Sequence, residues 1–259
     1  YTRGRFPYPQ ELAHALREEL GLDGTGRLLD VGCGPGPLTL LLAPLFQRAV
    51  GIDADADMIA AARAEAARRG VGNAEFVRLR AEELPARLGT FDVVTFAQSF
   101  HWMDRPSVAA AIKAMLQPAG VWVHVNASTL HGEGDDAVLP APIPPHDAIA
   151  ELVKVQLGTV RRAGQSDRPV DTPRAEEEVM VAAGYSGPTR LVVAGGRVVE
   201  RTEDEVVASV FSRSGSAPHL FGERLREFEA ELRALLRETA PDGRFSERLR
   251  EIELVLWRP

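Results

Sequence analysis

The chain has 259 residues, 45% of them apolar and 26% charged, with a formal net charge of −7. This composition excludes wholesale disorder, and the acidic balance supplies no overall field that would gather a polyanion, so nucleic acid is not an expected partner. No apolar run reaches the roughly 18–20 residues that cross a bilayer, so no membrane partner is expected either. Tyr1 to Gln10 lack the apolar core of a secretory leader, and the missing initial Met implies that a short segment precedes Tyr1. Cys33 is the single cysteine, which excludes an internal disulfide and fits a reducing cytoplasm.

In chain order, Pro9 to Leu20 reads as an amphipathic helix through Leu12, Ala15, Leu16 and Leu20. Arg27 to Val31 is a first strand, and Leu38 to Phe46 a buried helix after a glycine-rich loop. Ala49 to Ile52, Glu75 to Leu79, Phe91 to Phe96 and Val121 to Val125 are the next four strands. Ala-rich Ala56 to Arg69 and Pro106 to Leu116 are helices between them. Alternating strands and helices with short links predict a parallel sheet covered on both faces. The pattern breaks after Asn126, where Leu139 to Pro145 holds four prolines. Ala148 to Val160 and Pro173 to Ala183 read as helices, the second closed by Gly184. A long helix carries Leu225, Phe228, Leu232 and Leu235 as one stripe. Leu191 to Val193 and Ile252 to Trp257 are the last strand candidates.

The loop Asp30-Val31-Gly32-Cys33-Gly34-Pro35-Gly36 follows the first strand and opens a helix at Pro37. Glycines permit a sharp turn and close backbone approach, and Pro is least costly in the first turn of a helix. Outside the carboxyl end of a parallel strand, this is where a nucleotide-like ligand sits. The spacing is G-x-G-x-G, not the G-x-G-x-x-G of dinucleotide sites. Asp30, two residues before the first glycine, is a poor neighbour for pyrophosphate and suits a ligand bearing an ammonium and a sulfonium. Taken alone, the loop also reads as a structural glycine turn. Asp53 ends the second strand 21 residues after Gly32, where a carboxylate accepts hydrogen bonds from two ribose hydroxyls. Asp55 and Asp57 read as surface or helix-capping residues. Met58 reads equally as a cover for an adenine face and as core packing.

The stretches Leu28 to Thr39, Gly51 to Met58, Ala81-Glu82-Glu83-Leu84-Pro85 and Phe91 to Asp104 resemble class I S-adenosylmethionine-dependent methyltransferases. Within that class they are similar to the small-molecule "type 11" group that includes ubiquinone-pathway and trans-aconitate methyltransferases. Tyr1 to Pro9 and Leu254 to Pro259 carry a weaker likeness, and residues 127–172 match nothing in the group. The resemblance implies an α/β, Rossmann-like sheet of seven strands in the order 3-2-1-4-5-7-6, the seventh antiparallel. It divides a single domain into an N-terminal lid helix (1–26), a cofactor-binding core (27–126), a substrate-cap insertion (127–185) and C-terminal strands and helices (186–259).

The implied cofactor is S-adenosyl-L-methionine. Gly32, Gly34 and Gly36 carry its methionine half, with Asp30 toward the amino group. Asp53 takes the ribose, with Ala54 and Met58 beside it. Ala81 and Glu82 meet the adenine edge, and Gln98 lies near the methionine or its sugar. Arg5 pairs with the cofactor carboxylate and Tyr1 covers it. The implied activity is methyl transfer to an O-, N- or C-nucleophile of a small-molecule substrate by a cytoplasmic monomer or homodimer. A non-methylating enzyme or a binding module on the same scaffold is the alternative.

Methyl transfer is an in-line displacement in which the protein mainly positions the reactants and excludes water. It leaves no compact motif. His101, in Gln98-Ser99-Phe100-His101-Trp102, is the candidate proton acceptor, with simple loop packing as the bland reading. Asp104 reads as the cap of the next helix. His131, Glu133, Asp135 and Asp136 have the residue types of a metal cluster, but their spacing fits no zinc or calcium loop, so no metal is expected. His124 and His146 read as cleft-lining or as surface. Cys33 reads as structural. A nicotinamide oxidoreductase is disfavoured by the glycine spacing and by the lack of a Tyr-x-x-x-Lys pair. A nucleic-acid methyltransferase is disfavoured because Ala97-Gln98-Ser99-Phe100 stands where such enzymes carry Asn/Asp-Pro-Pro-Tyr/Phe.

Overall fold

A computed structural model describes residues 4–132, 139–158 and 174–259. Helix α1 (Gln10–Leu20) leads into β1 (Arg27–Val31), α2 (Pro37–Leu42), β2 (Arg48–Asp53), α3 (Ala56–Arg69) and β3 (Ala74–Arg78). Strand β4 (Phe91–Ala97), helix α4 (Arg105–Met115) and strand β5 (Leu116–Asn126) follow. The rest is α5 (His146–Leu157), α6 (Arg174–Ala182), β6 (Ser186–Val193), β7 (Val198–Thr202), α7 (Glu203–Phe211), α8 (Leu225–Thr239), β8 (Arg244–Arg248) and β9 (Ile252–Arg258). These residues form two compact units. A sheet unit takes the described residues of 8–127, 170–193 and 252–259, and a helical unit takes those of 1–7, 128–169 and 194–251.

The sheet has seven strands in the order β3-β2-β1-β4-β5-β9-β6. β1 to β5 are parallel, and β9 runs antiparallel to both of its neighbours. This is the expected order, with β9 as the seventh strand. The two-residue alternation of strands sorts side chains onto two faces. In β5 and β9, Val121, Val123, Val125, Leu254 and Leu256 join one core with Leu12 and Leu16 of α1 and Leu38 of α2. Trp122, Val255 and Trp257 join the other, with Val108 and Ile112 of α4 and Met180 of α6. Helix α1 therefore lays its apolar stripe into the sheet core.

Local chemistry sets several element ends. Pro37 opens α2 after Gly36, and the α-helix stops at Leu42 and tightens into a 3-10 turn over Ala43–Leu45. The expected helix to Phe46 is cut short there because Pro44 has no N–H to continue the ladder. Asp55 caps α3, accepting from the Asp57 and Met58 N–H groups, and Gly70 ends it in a left-handed conformation. β5 begins at Leu116, five residues before the expected Val121, and β6 begins at Ser186, before the expected Leu191.

In the helical unit, α5, α7 and α8 enclose Ile149, Val206, Val210, Phe228, Leu232, Leu236 and Phe245. Leu236 takes the deep position of the α8 stripe, while Leu225 and Leu235 lie at its margin. β7 and β8 pair as a separate two-stranded antiparallel sheet, which the sequence pattern does not reveal.

Candidate functional site

The ends of β1 and β2 are joined by backbone bonds. The N–H groups of Gly32 and Cys33 both donate to the Ile52 carbonyl, at 2.8 and 2.9 Å. Gly32, Gly34 and Gly36 have φ of 72, 54 and 78°, so each glycine of the loop occupies the left-handed region. The Gly34 N–H donates to Asp53 Oδ2 at 2.9 Å, and the Asp55 N–H donates to Asp53 Oδ1 at 2.9 Å. Burial raises the Asp53 carboxyl above its ordinary value, against the opposing pull of these two N–H groups. Each oxygen of Asp53 thus has one protein donor, and a carboxylate oxygen accepts about two hydrogen bonds.

Two glycines of the loop make room for protein rather than ligand. A Cβ on Gly32 would lie 2.5 Å from Ser99 Cβ, and one on Gly36 would lie 2.7 Å from the Phe76 ring. Ser99, after β4, is held there by its hydroxyl, which donates to the Val31 carbonyl at 2.6 Å. Cys33 is buried beside Gly51, and burial pushes its thiol well above the ordinary value, so it packs the turn.

Asp30 requires a correction. Expected beside a ligand ammonium, it is only 1% exposed, and register pairs it with Gly51 on one side and Thr95 on the other. Thr39 Oγ1 donates to Asp30 Oδ2 at 2.6 Å and Thr95 Oγ1 donates to Oδ1 at 2.8 Å. Burial pushes its carboxyl up to about 6. Its contacts tie β1, α2 and β4 together beneath the turn.

After β4, Gln98 is exposed with φ 54°, a conformation uncommon for a residue with a Cβ and concentrated at functional turns. His101 lies in the 3-10 turn Phe100–Trp102, half-buried, its ring 4.9 Å from that of Trp102. Burial lowers its pKa, and the Arg105 charge lowers it further. Glu82, expected at an adenine edge, is exposed and accepts from the Asp104 N–H at 3.1 Å. Ala81 is buried, Met58 half-buried and Ala54 exposed. Asp104 stands at the N-cap of α4, but its carboxylate accepts from the Ser107 hydroxyl at 2.9 Å instead of from a backbone N–H.

The two histidines read as cleft-lining are placed otherwise. His124 is on the packed face of β5 against Phe96, Phe100 and Trp122, and burial lowers its pKa to about 3. His146 opens α5 in the helical unit and donates from Nε2 to Glu247 Oε1 at 2.8 Å. Arg5 also belongs to the helical unit, where its guanidinium donates to Ser212 and Thr129. Tyr1, Glu133, Asp135 and Asp136 lie outside the described residues, as does Pro173. Among the described residues, no three His, Cys, Asp or Glu side chains converge as for a metal ion. No described helix is long and apolar enough to cross a membrane.

Thr39, Thr95 and Ser99 are the structural partners that the sequence does not flag. Only the parallel register of β1 and β4 brings the last two under the turn.

A sheet of this order, with an acid at the tip of β2 bonded to the glycine turn after β1, is a Rossmann-like fold. Residues 28–120 match the family described as "Methyltransferase domain". The chain is similar to the uncharacterized methyltransferase YcgJ of Bacillus subtilis, 30% identical over 147 residues that cover 54% of this chain and 56% of the relative. The nocamycin O-methyltransferase of Saccharothrix syringae is 44% identical over 122 residues, 44% of this chain and 41% of the relative. The ubiquinone biosynthesis O-methyltransferase of Cronobacter sakazakii is 35% identical over 125 residues, 48% and 49%. The chain spans about half the length of the curated relatives it matches. The solved structure of YcgJ superposes with a TM-score of 0.54 at 18% identity, covering 95% of this chain and 97% of that one, and shows the same fold.

Proposed function

We propose that this protein transfers a methyl group from S-adenosyl-L-methionine to a nucleophile of a small-molecule acceptor in the cytoplasm. The observation that carries the reading is the Asp53 carboxylate, held at the tip of β2 by the Gly34 and Asp55 N–H groups with acceptor capacity left on each oxygen. The donor set fits the cofactor: a carboxylate suits a ribose diol, and the acidic neighbourhood of the turn suits a cation and not a pyrophosphate.

In this reading Asp53 accepts from the ribose hydroxyls, and Gly34 presents its backbone to the methionine half. Ala54 and Met58 flank the nucleoside, Ala81 and Glu82 meet the adenine, and Gln98 faces the methionine or sugar. Asp30 acts one layer down: its bonds to Thr39 and Thr95 fix the turn on which Gly32 and Gly34 stand. When bound, the cofactor supplies a methyl carbon activated by positive sulfur. The chain's own task is to orient the acceptor and keep water away. His101, whose burial favours the neutral imidazole, accepts the proton that an acceptor hydroxyl or amine releases. Nucleic acid is not the acceptor, since the chain is acidic overall and lacks the tetrad used on exocyclic amines. The protein works as a monomer or homodimer.

Calorimetric titration of S-adenosylhomocysteine into the whole chain tests the reading. Binding in the micromolar range is expected, lost in Asp53→Ala and Gly34→Val. Retention of binding in both variants contradicts the assignment.

A further inference from the structure

Asp30 carries a charge that its structural ties do not need. The Thr39 and Thr95 hydroxyls each donate one hydrogen bond to it, at 2.6 and 2.8 Å. A hydroxyl accepts as readily as it donates, so an asparagine amide could make two such ties without a charge. Both donors are neutral, and Asp30, 1% exposed, forms no ion pair among the described residues. A buried carboxylate without a cation is costly, and groups so placed concentrate at functional sites.

The charge is felt on the far side of the strand. Gly51 pairs with Asp30 in register, and a Cβ on Gly51 would lie 2.9 Å from Cys33 Sγ, so the thiol of the glycine turn sits over Gly51. After burial, the Asp30 charge is the largest cause raising that thiol, and the Asp53 charge follows. Asp53 in turn raises the Asp30 carboxyl. The two carboxylates, one sealed beneath the turn and one partly buried at its rim, therefore act on each other and on the thiol beside them. Asp53 also forms no ion pair among the described residues. Arg78, opposite it in register, is exposed and turns its Nε to the Ala54 carbonyl at 3.3 Å. In surroundings of low dielectric, such a field reaches beyond hydrogen-bond contact.

We infer that Asp30 is a specificity-determining residue of the cofactor site: acting through the turn, its carboxylate favours a positive sulfonium over the neutral thioether left after transfer. The inference rests on the proposed cofactor. In transfer, a lone pair of the acceptor forms the new bond to the methyl carbon, and the pair of the old C–S bond returns to sulfur. Sulfur thereby loses its positive charge, and the proton of the acceptor passes to a base. The ammonium and carboxylate of the methionine half are common to both forms, so only the sulfur centre separates them. Asp30 adds to the hold on the loaded form at that centre and nothing to the hold on the spent one. Asp53 shares the field, but its oxygens also bond the turn and, in this reading, the ribose, so its removal weakens both forms.

Calorimetric titration of the whole chain at about pH 7.5, above the Asp30 value of about 6, tests this with the carboxylate charged. S-adenosylmethionine and S-adenosylhomocysteine are compared with sinefungin, which carries an ammonium in place of the sulfonium. Asp30→Asn removes the charge and leaves an amide for the two threonines. It is expected to lower the affinity of S-adenosylmethionine relative to S-adenosylhomocysteine by about three- to tenfold, and that of sinefungin likewise, the effect of one charge acting across a loop. Asp30→Ser, smaller and uncharged, is expected to shift the ratios alike and serves should the amide variant not fold. Thr95→Val breaks one tie and keeps the carboxylate, so its ratios are expected to stay at the wild-type values even where all three ligands weaken. Ratios equal in wild type and the uncharged variants overturn the proposal, as does an equal fall in Thr95→Val. Wild type silent with all three ligands overturns the cofactor reading itself, whereas wild-type binding with unmoved ratios overturns only the role of Asp30.

Discussion

The Asp53 carboxylate accepts the Gly34 N–H at 2.9 Å, so the acid at the tip of β2 and the turn after β1 form one hydrogen-bonded unit. Asp53 therefore has two tasks that different substitutions separate. Asp53→Asn keeps one oxygen for Gly34 or for a ribose hydroxyl, whereas Asp53→Ala removes both. Charge-assisted bonds of this kind are each worth about 1.5–3 kcal/mol, so Asp53→Ala, which removes two, is expected to weaken S-adenosylhomocysteine binding by roughly 100-fold or more, which takes micromolar binding out of calorimetric range. Asp53→Asn is expected to lie between it and wild type. Calorimetry on the three proteins gives the order.

Gly32 tests the packing of the turn. A methyl group there meets Ser99 Cβ at 2.5 Å and forces an L-residue to hold φ 72°. Gly32→Ala is expected to cost roughly 2–4 kcal/mol in a denaturant melt, from backbone strain and overpacking together. Ser99→Gly in the same chain should recover part of that loss by clearing the contact. A double variant no more stable than Gly32→Ala would show that backbone strain alone sets the cost.

Two buried groups act on pH stability with opposite sign. Asp30 has its carboxyl raised to about 6, so between pH 4 and 6 the native state holds a proton that the unfolded chain has released, and stability falls as pH rises. His124 has its pKa lowered to about 3, so below pH 6.5 the unfolded chain binds a proton that the native state refuses, and stability falls as pH drops. Each contributes a slope of about 1.4 kcal/mol per pH unit where it acts, and the two oppose one another from pH 4 to 6. Asp30→Asn is expected to expose the His124 slope, making stability rise with pH in that window. His124→Phe is expected to expose the reverse. Denaturant melts at pH 4, 5 and 6 measure both, and parallel profiles in all three proteins would refute the assignment.

The His101 imidazole is expected to titrate below its ordinary value, through burial first and the Arg105 charge second. Arg105→Gln removes the second cause, so the pKa rises toward, without reaching, the exposed value. Imidazole proton resonances followed against pH report this without any acceptor. No movement in Arg105→Gln would mean that the cation does not act on the ring.

The parallel half of the sheet was legible because each strand is a short apolar run closed by a loop, and the helices between them follow Ala- and Leu-rich spacing. Asp53 was legible for a positional reason, since it ends the second strand a fixed distance after the glycine turn. The partners of Asp30 are not legible, because Thr39 and Thr95 reach it only through the α2 turn and the β4 register. β7 and β8 were hidden for a different reason. Val198–Thr202 and Arg244–Arg248 carry charged residues that read as solvated, yet Arg201 and Glu247 are buried because they pair with each other across 46 residues of chain. A local pattern holds no record of such a partner. The packed position of His124 is hidden similarly: a histidine inside an aromatic cluster has the same local spacing as one at a strand end.

The most direct measurement is a calorimetric titration of the whole chain with S-adenosylmethionine, run beside one with a nicotinamide dinucleotide. The account predicts saturable heat at about one site per chain for the sulfonium nucleoside, lost in Asp53→Ala, and none for the dinucleotide. Heat from the dinucleotide alone, or silence with both ligands and no thermal shift, would contradict it.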